Sequence, residues 1–262
     1  MTAQRVGVVG SLGRMGLEVR AAVAAHPDLE VVGALEAPGH PGVGSVIEGT
    51  VPVVSDPEEA FARCDVVIDF SIPRATLTNL DVAARRGIAY VTGTTGFTPA
   101  EQETLDGFAA RTPLLHAPNF SVAVNVLSWL VREAASKLGP AYHAELFELH
   151  HAAKRDAPSG TALRLAEAVA EGRGIALEPA AVLERAGETG ERPEGAIGVQ
   201  ALRGGDNPGE HTVMFIGTGE RLELVHRSTT RAHFATGAAR AAAWLAGKPA
   251  GRYRIEQMLG LE

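Results

Sequence analysis

With 262 residues, 45% of them hydrophobic and 21% charged, the chain has the composition of a globular protein large enough to bury one or two cores. Its formal net charge of −7 argues against a nucleic-acid or anionic-membrane surface, since both would need a basic excess. A single cysteine, Cys64, excludes an internal disulfide and a cysteine-rich metal site. No signal peptide is read at the start and no run of about 18 uncharged apolar residues is long enough to span a bilayer, so a reducing cytoplasm is the expected setting.

Residues 5–10 (RVGVVG) read as a buried strand, followed by a glycine-rich turn and a helix that stops at His26-Pro27. A second strand covers 29–35, and shorter ones 65–70 (DVVIDF), 88–92 (IAYVT) and 114–116. Ser55-Asp56-Pro57-Glu58 and Thr98-Pro99-Ala100-Glu101 both read as capping boxes, with a hydroxyl at the cap and a carboxylate three residues on. This βαβα rhythm implies a parallel sheet covered by helices on both faces.

After Asn119 the pattern changes. Residues 121–138 read as a helix closed by Gly139-Pro140. Strands are expected at 145–150, 197–203, 211–217 and 221–226, the last three without helices between them, which is the mark of a mostly antiparallel sheet. The segment 178–195, rich in Glu, Pro and Gly, reads as a mobile surface loop, and the alanine-rich helix over 229–245 is placed to return to the first domain. The fold class is α/β: a Rossmann-like parallel-sheet cofactor domain (1–120 with 230–262) plus an α+β substrate domain (121–229) with a mixed, mostly antiparallel open sheet.

Residues 8–16 read VVGSLGRMG. Gly10, Gly13 and Gly16 let the backbone turn tightly and approach a pyrophosphate seated on the helix N-terminus. The spacing is G-x-x-G-x-x-G rather than the standard G-x-G-x-x-G, and a strand–helix turn without a ligand explains the same glycines. Glu36 ends the second strand, where an acid hydrogen-bonds adenosine ribose hydroxyls; a solvated surface glutamate is the alternative. Ala37 offers no positive charge to a 2′-phosphate, so NADH is expected to serve at least as well as NADPH, with Arg14 or His40 partly compensating. Gly93, Thr94 and Thr95 leave the C-terminal edge of the sheet, where ligands of open α/β folds bind, and their amides and hydroxyls suit the nicotinamide ribose or carboxamide. A plain turn reads the same way. Ala117, Pro118, Asn119 and Phe120 stand likewise and mark the domain crossing.

The segment 150–161 (HHAAKRDAPSGT) carries the chemistry. Pro158 and Ser159 suit a helix start, so the amides of Gly160 and Thr161 lie where the dipole and unpaired N–H groups favour a carboxylate. Lys154 adds a positive charge, and His151 and the Thr161 hydroxyl add donors; a dicarboxylate fits such a cluster. Hydride reduction of an electron-poor double bond needs a proton at the partner atom, and His150 is the candidate acid near neutral pH. Singly, each of these residues reads as a structural or solvated side chain; together they read as a site. A metal held by His150, His151 and Asp156 lacks the usual ligand spacing, so no metal is expected.

These residues resemble the 4-hydroxy-tetrahydrodipicolinate reductase (dihydrodipicolinate reductase) family. ELHHAAKRDAPSGTA (148–162) is similar to its signature, and VGSLGRMG (9–16), GTTGF (93–97), APNFSVAVN (117–125) and GRYRIEQMLGL (251–261) resemble its other blocks in order. The resemblance implies reduction of a cyclic imine dicarboxylate by NADH or NADPH in diaminopimelate and lysine synthesis. It implies His150 as proton donor, assisted by Lys154, which also contacts the substrate, and His151, Gly160 and Thr161 as carboxylate ligands. For the cofactor it implies Gly10, Ser11, Leu12, Gly13, Arg14, Met15, Glu36, Gly93, Thr94, Thr95 and Ala117 to Phe120. It further implies a homotetramer built through the second domain's sheet, and a terminal helix over 251–261. Many members carry arginine after the ribose-binding acid, where this chain has Ala37. One rival, another two-domain dehydrogenase, explains the first 120 residues equally well; a second is a dinucleotide sensor without catalysis. Neither accounts for the histidine–lysine segment.

Overall fold

A computed structural model describes residues 2–261 of the chain. Strand β1 (Gln4–Val9) is apolar on both sides from Val6 onward, as a strand sandwiched between two helix layers must be. It pairs in parallel with β2 (Leu29–Leu35) on one side and β5 (Val66–Asp69) on the other. Beyond β2 lie β4 (Val51–Val54) and β3 (Val46–Ile47); beyond β5 lie β6 (Ala89–Thr92), β7 (Pro113–His116) and β13 (Gly251–Tyr253). Every pairing is parallel except β3–β4. The chain order reverses between β1 and β5, and that reversal opens a crevice at the strands' C-terminal ends.

The sheet has a core on each face. On one, Val6, Val8, Val66 and Ile68 meet Val19 and Val23 of α1 (Arg14–Ala24), the alanines and Leu245 of α8 (Ala232–Leu245), and Ile255 and Met258 of α9 (Ile255–Leu259). On the other, Val67, Tyr90 and Leu114 meet Leu80 and Ala83 of α3 (Pro73–Arg85) and Leu105 and Phe108 of α4 (Pro99–Phe108), with Phe61 after α2 (Pro57–Ala60). Alanines on α8 permit a close approach to the backbone. At Gly237 a Cβ would lie 1.8 Å from the carbonyl oxygen of Phe120, so that turn of the helix tolerates no side chain.

The described residues up to Val122, together with those from Ala232 on, form one compact unit, and Ala123–Arg231 form another. The second holds a sheet ordered β12 (Arg221–Arg227), β11 (Glu210–Ile216), β8 (His143–His150), β10 (Ile197–Arg203) and β9 (Ala181–Val182). One face is covered by α5 (Val122–Leu138) and α6 (Gly160–Arg173), through Leu127, Val131, Leu165 and Val169 packed on Leu146, Ile197, Val213 and Phe215. The sheet is mixed, as expected. Its antiparallel part is confined to the two neighbours of β11, because α6 carries the chain back over the sheet and sets β10 parallel to β8.

Three local expectations need correcting. The cap of α2 is Asp56, whose carboxylate accepts the Glu58 N–H, and not Ser55; with Pro57 fixed in the first helical position, the capping residue must be the one before it. The box at Thr98 and Glu101 forms as expected. The closing stretch is not one helix: residues 251–253 add a strand beside β7 before α9 begins. Finally, the segment read as a mobile loop contains the short helix α7 (Leu177–Ala180) and strand β9, and it is fastened to β8. Arg185 and Arg192 both reach Glu145, with N–O distances of 2.7 and 2.9 Å. The anchors are two arginines, not the glutamates, prolines and glycines on which the loop reading rests. Helix α3 and strands β3 and β4 were not singled out, since none carries a strong capping or alternation signal.

Candidate active site

The glycine turn in the first unit is built for backbone approach. Gly10 has φ +64°, and a Cβ on Gly16 would sit 2.0 Å from the Gly10 carbonyl oxygen, so the start of α1 is pressed onto the turn. Gly13 is the N-cap and no side chain caps the helix, which leaves first-turn N–H groups for an anion. The buried Ser11 hydroxyl has no hydrogen-bond partner. An uncapped helix start beside an orphaned buried hydroxyl fits a dinucleotide pyrophosphate. Arg14 is exposed, and Leu12 and Met15 are half-buried beside it.

Glu36 is buried, not a solvated surface glutamate. Its Oε1 accepts the Leu12 N–H at 2.7 Å, so the acid at the end of β2 is locked to the glycine turn, and each oxygen keeps a lone pair for a ribose hydroxyl. Ala37 is exposed and carries no charge, and His40 spends Nδ1 on the Gly42 N–H. At the ends of β6 and β7 the predicted residues divide. Thr94 is buried, its hydroxyl 2.8 Å from that of Thr76 and its carbonyl 3.0 Å from Nε2 of His116, so it braces the loop from within. Gly93 lies against the Phe70 ring, where a Cβ would come within 2.1 Å, while Thr95 and Pro118 are exposed. Ala117 is buried, Asn119 accepts the Ser121 N–H through Oδ1, and the Phe120 ring is in the core, edge-on to Phe70 at 5.6 Å. Phe120 therefore offers a ligand only its backbone.

In the second unit, β8 alternates so that Leu146, Glu148 and His150 share the buried face. Glu148 has no exposed side-chain surface. Arg203 grips it with two bonds, Nη1 to Oε2 at 2.9 Å and Nη2 to Oε1 at 3.0 Å, and the Ser159 N–H adds a third at 3.1 Å. Nδ1 of His150 makes a close contact with Oε2. Burial pushes the Glu148 carboxyl up, but the bonds from Arg203, then His150 and Ser159, outweigh it and hold the group below its ordinary range.

Ser159 is the N-cap of α6, its hydroxyl accepting the Ala162 N–H at 3.1 Å. Gly160 is exposed and Thr161 half-buried at the first turn. Lys154 is half-buried and its Nζ lies 2.8 and 2.9 Å from the two oxygens of Asp156, so its charge is paired to a largely exposed carboxylate. His151 follows the strand end half-buried, its backbone N–H donating to the Asn207 carbonyl. Among the described residues no group of three or more His, Cys, Asp or Glu side chains converges as a metal site would, and no helix is long and apolar enough to cross a membrane. Cys64 is a free buried thiol pushed up to about 12, chiefly by that burial.

Sequence reasoning missed Glu148, Arg203, Gly209 and His211. Glu148 was detectable, two residues before His150 on a strand; the others come from elements far along the chain. His211 packs edge-on to His150 at 5.3 Å with Nε2 3.3 Å from the Ser159 hydroxyl. Burial first, then the charges of His150 and His226, push His211 down to about 4 from 6.5, although Glu148 opposes this. The unfolded chain takes up that proton near 6.5 and the folded chain only near 4, so unfolding binds a proton between these values and stability falls as the solution is acidified. The loss through this group should approach 3 kcal/mol in order of magnitude. Urea unfolding from neutral pH down to about 4 should therefore show a shallower pH slope for His211→Gln than for the parent; equal slopes would assign the acid sensitivity elsewhere.

Residues 4–120 match the family model described as dihydrodipicolinate reductase, N-terminus, and residues 123–259 match that described as dihydrodipicolinate reductase, C-terminus. A 4-hydroxy-tetrahydrodipicolinate reductase of an Anaeromyxobacter species is 50% identical, over 98% of this chain and 97% of the relative. The protein of that name from Desulfotalea psychrophila is 47% identical, over 98% of each chain. A dipicolinate-bound dihydrodipicolinate reductase from Paenisporosarcina sp. TG-14 superposes with a TM-score of 0.77 over 97% of this chain and 98% of that one; at 24% identity the likeness shows the fold.

Proposed function

The chain belongs to the dihydrodipicolinate reductase family, and from that premise we propose that it reduces 4-hydroxy-tetrahydrodipicolinate to tetrahydrodipicolinate at the expense of NADH or NADPH, with loss of water, in diaminopimelate and lysine biosynthesis. The observation that carries this reading is an acid and an anion site sharing one segment: His150 on a buried carboxylate, followed within a few residues by Lys154 and a capped helix start.

A bound nicotinamide supplies the hydride. The remaining work falls to this chain. We assign the pyrophosphate and ribose to residues 10–15 and Glu36, and the nicotinamide end to Gly93, Thr94, Thr95 and the backbone of 117–120. Lys154, His151, Gly160 and Thr161 hold the substrate carboxylates, the lysine exchanging Asp156 for substrate. His150 delivers the proton that balances the hydride, so one hydride and one proton enter and one water leaves. A non-catalytic sensor has no use for such an acid. The open face of the second sheet exposes Phe147, Leu202 and Val225, and we assign it to the assembly surface of a homotetramer; sedimentation equilibrium returning a monomer would remove that assignment.

The test generates the substrate in situ and follows NADH and NADPH oxidation in separate runs. Oxidation of NADH at least as fast as of NADPH is expected, given Ala37 beside Glu36. No oxidation of either would overturn the reading.

A further inference from the structure

We propose that Glu148 and Arg203 are positioning residues that hold the His150 ring in its Nδ1–H tautomer, making Nε2 the atom that delivers the proton. The proposal rests on the reading of His150 as proton donor given above. Four contacts fill the Glu148 carboxylate: two from the Arg203 guanidinium, one from the Ser159 N–H and one from Nδ1 of His150. A guanidinium and a backbone amide can only donate, and an ionised carboxylate can only accept. The one partner whose role is not set by its chemistry is the imidazole, and it faces an acceptor in a buried place. A bare Nδ1 would set a lone pair against that carboxylate, so Nδ1 carries the hydrogen.

The space beside the other ring nitrogen is left by a glycine. Gly209, at φ +146°, lies beside Nε2, and a Cβ there would come within 2.8 Å of it. Arg203 also donates to the Asp156 carbonyl at 2.6 Å, so one guanidinium sets both the acid and the loop that bears Lys154. The parallel register that places Arg203 opposite His150 makes this possible. In the charged ring Nδ1–H stays on Glu148 while the Nε2 proton leaves for the substrate; the ring is then neutral and already in the same tautomer, ready to take a proton back at Nε2 without turning over.

The full-length protein, labelled with 15N-histidine, tests this directly at a pH where the ring is neutral, with His150→Gln assigning its signals. A pyrrole-like Nδ1 and a pyridine-like Nε2 are expected in the parent protein. The opposite assignment, or an even mixture, would overturn the proposal whatever any variant does. Glu148→Gln, whose amide can either accept from or donate to Nδ1, should lower kcat by about 10²-fold and mix the tautomers, with NADH affinity held. An E148Q protein with parental kcat would equally overturn the proposal. If the parent protein itself oxidises neither NADH nor NADPH with substrate, the reductase reading falls, while the tautomer measurement still decides the role of Glu148.

Discussion

Replacing His150 with Gln is expected to lower turnover by about 10²- to 10⁴-fold, the usual contribution of a positioned proton donor. NADH affinity should stay within about two-fold of the parent, because the loss belongs to the chemical step and not to cofactor binding. The substitution is chosen to spare the fold. A Gln at this position can still present an N–H to Glu148, whose carboxylate in any case keeps Arg203 and the Ser159 N–H. Lys154→Ala should act in the same direction, with KM for the dicarboxylate rising as kcat falls. Its partner Asp156 is largely exposed and can return to water, so little stability is at stake. Steady-state kinetics paired with NADH fluorescence titration checks both variants, and a parallel fall in cofactor affinity would show that these residues were misassigned.

Gly16→Ala should damage cofactor binding and stability together. The added Cβ would stand 2.0 Å from the Gly10 carbonyl oxygen and 2.8 Å from the carbonyl carbons of Gly10 and Ser11. All of these are backbone atoms of the phosphate turn, so relief requires moving the turn or lifting α1 off the sheet. Overpacking of this kind costs about 1–3 kcal/mol, which lowers Tm by roughly 2–12 °C in a protein of this size. A turn displaced to make room no longer aims its N–H groups at a pyrophosphate, and NADH affinity should fall at least about ten-fold. Gly13→Ala is the control: its Cβ would meet the Gly10 oxygen at 3.2 Å, which a small shift absorbs. Thermal melts and cofactor titration of the two variants should separate them; equal behaviour would mean that the turn yields where the packing says it cannot.

What could be read from the chain beforehand follows the range of the interactions involved. The strand at 197–203 and the box at Thr98 are set by neighbours within a few residues, and both formed as expected. The cap of α2 was misplaced by one residue because Ser55 and Asp56 are both competent caps and only the position of Pro57 decides between them. His150, Lys154, Gly160 and Thr161 stood out as a cluster because they are close in sequence. Glu148 alone looked like any alternating strand residue; what gives it a role is Arg203, 55 residues further on, and that pairing depends on β10 lying parallel to β8. The pairing of Lys154 with Asp156, and the engagement of Thr94 inside its loop, were equally invisible, since a charged or hydroxyl side chain does not announce its partner.

The order of elements along the chain bears on how the protein is made. The first unit's sheet is nearly complete by β7, but one of its faces is closed by α8 and α9 and one of its edges by β13, all encoded after residue 231. The second unit, by contrast, is a single uninterrupted segment. During synthesis the ribosome therefore releases everything the inner segment needs before the outer one can cover Val6, Val8, Val66 and Ile68. The half of the protein that begins first finishes last, and for that interval an apolar sheet face covered only in part by α1 waits for a helix half made of alanine.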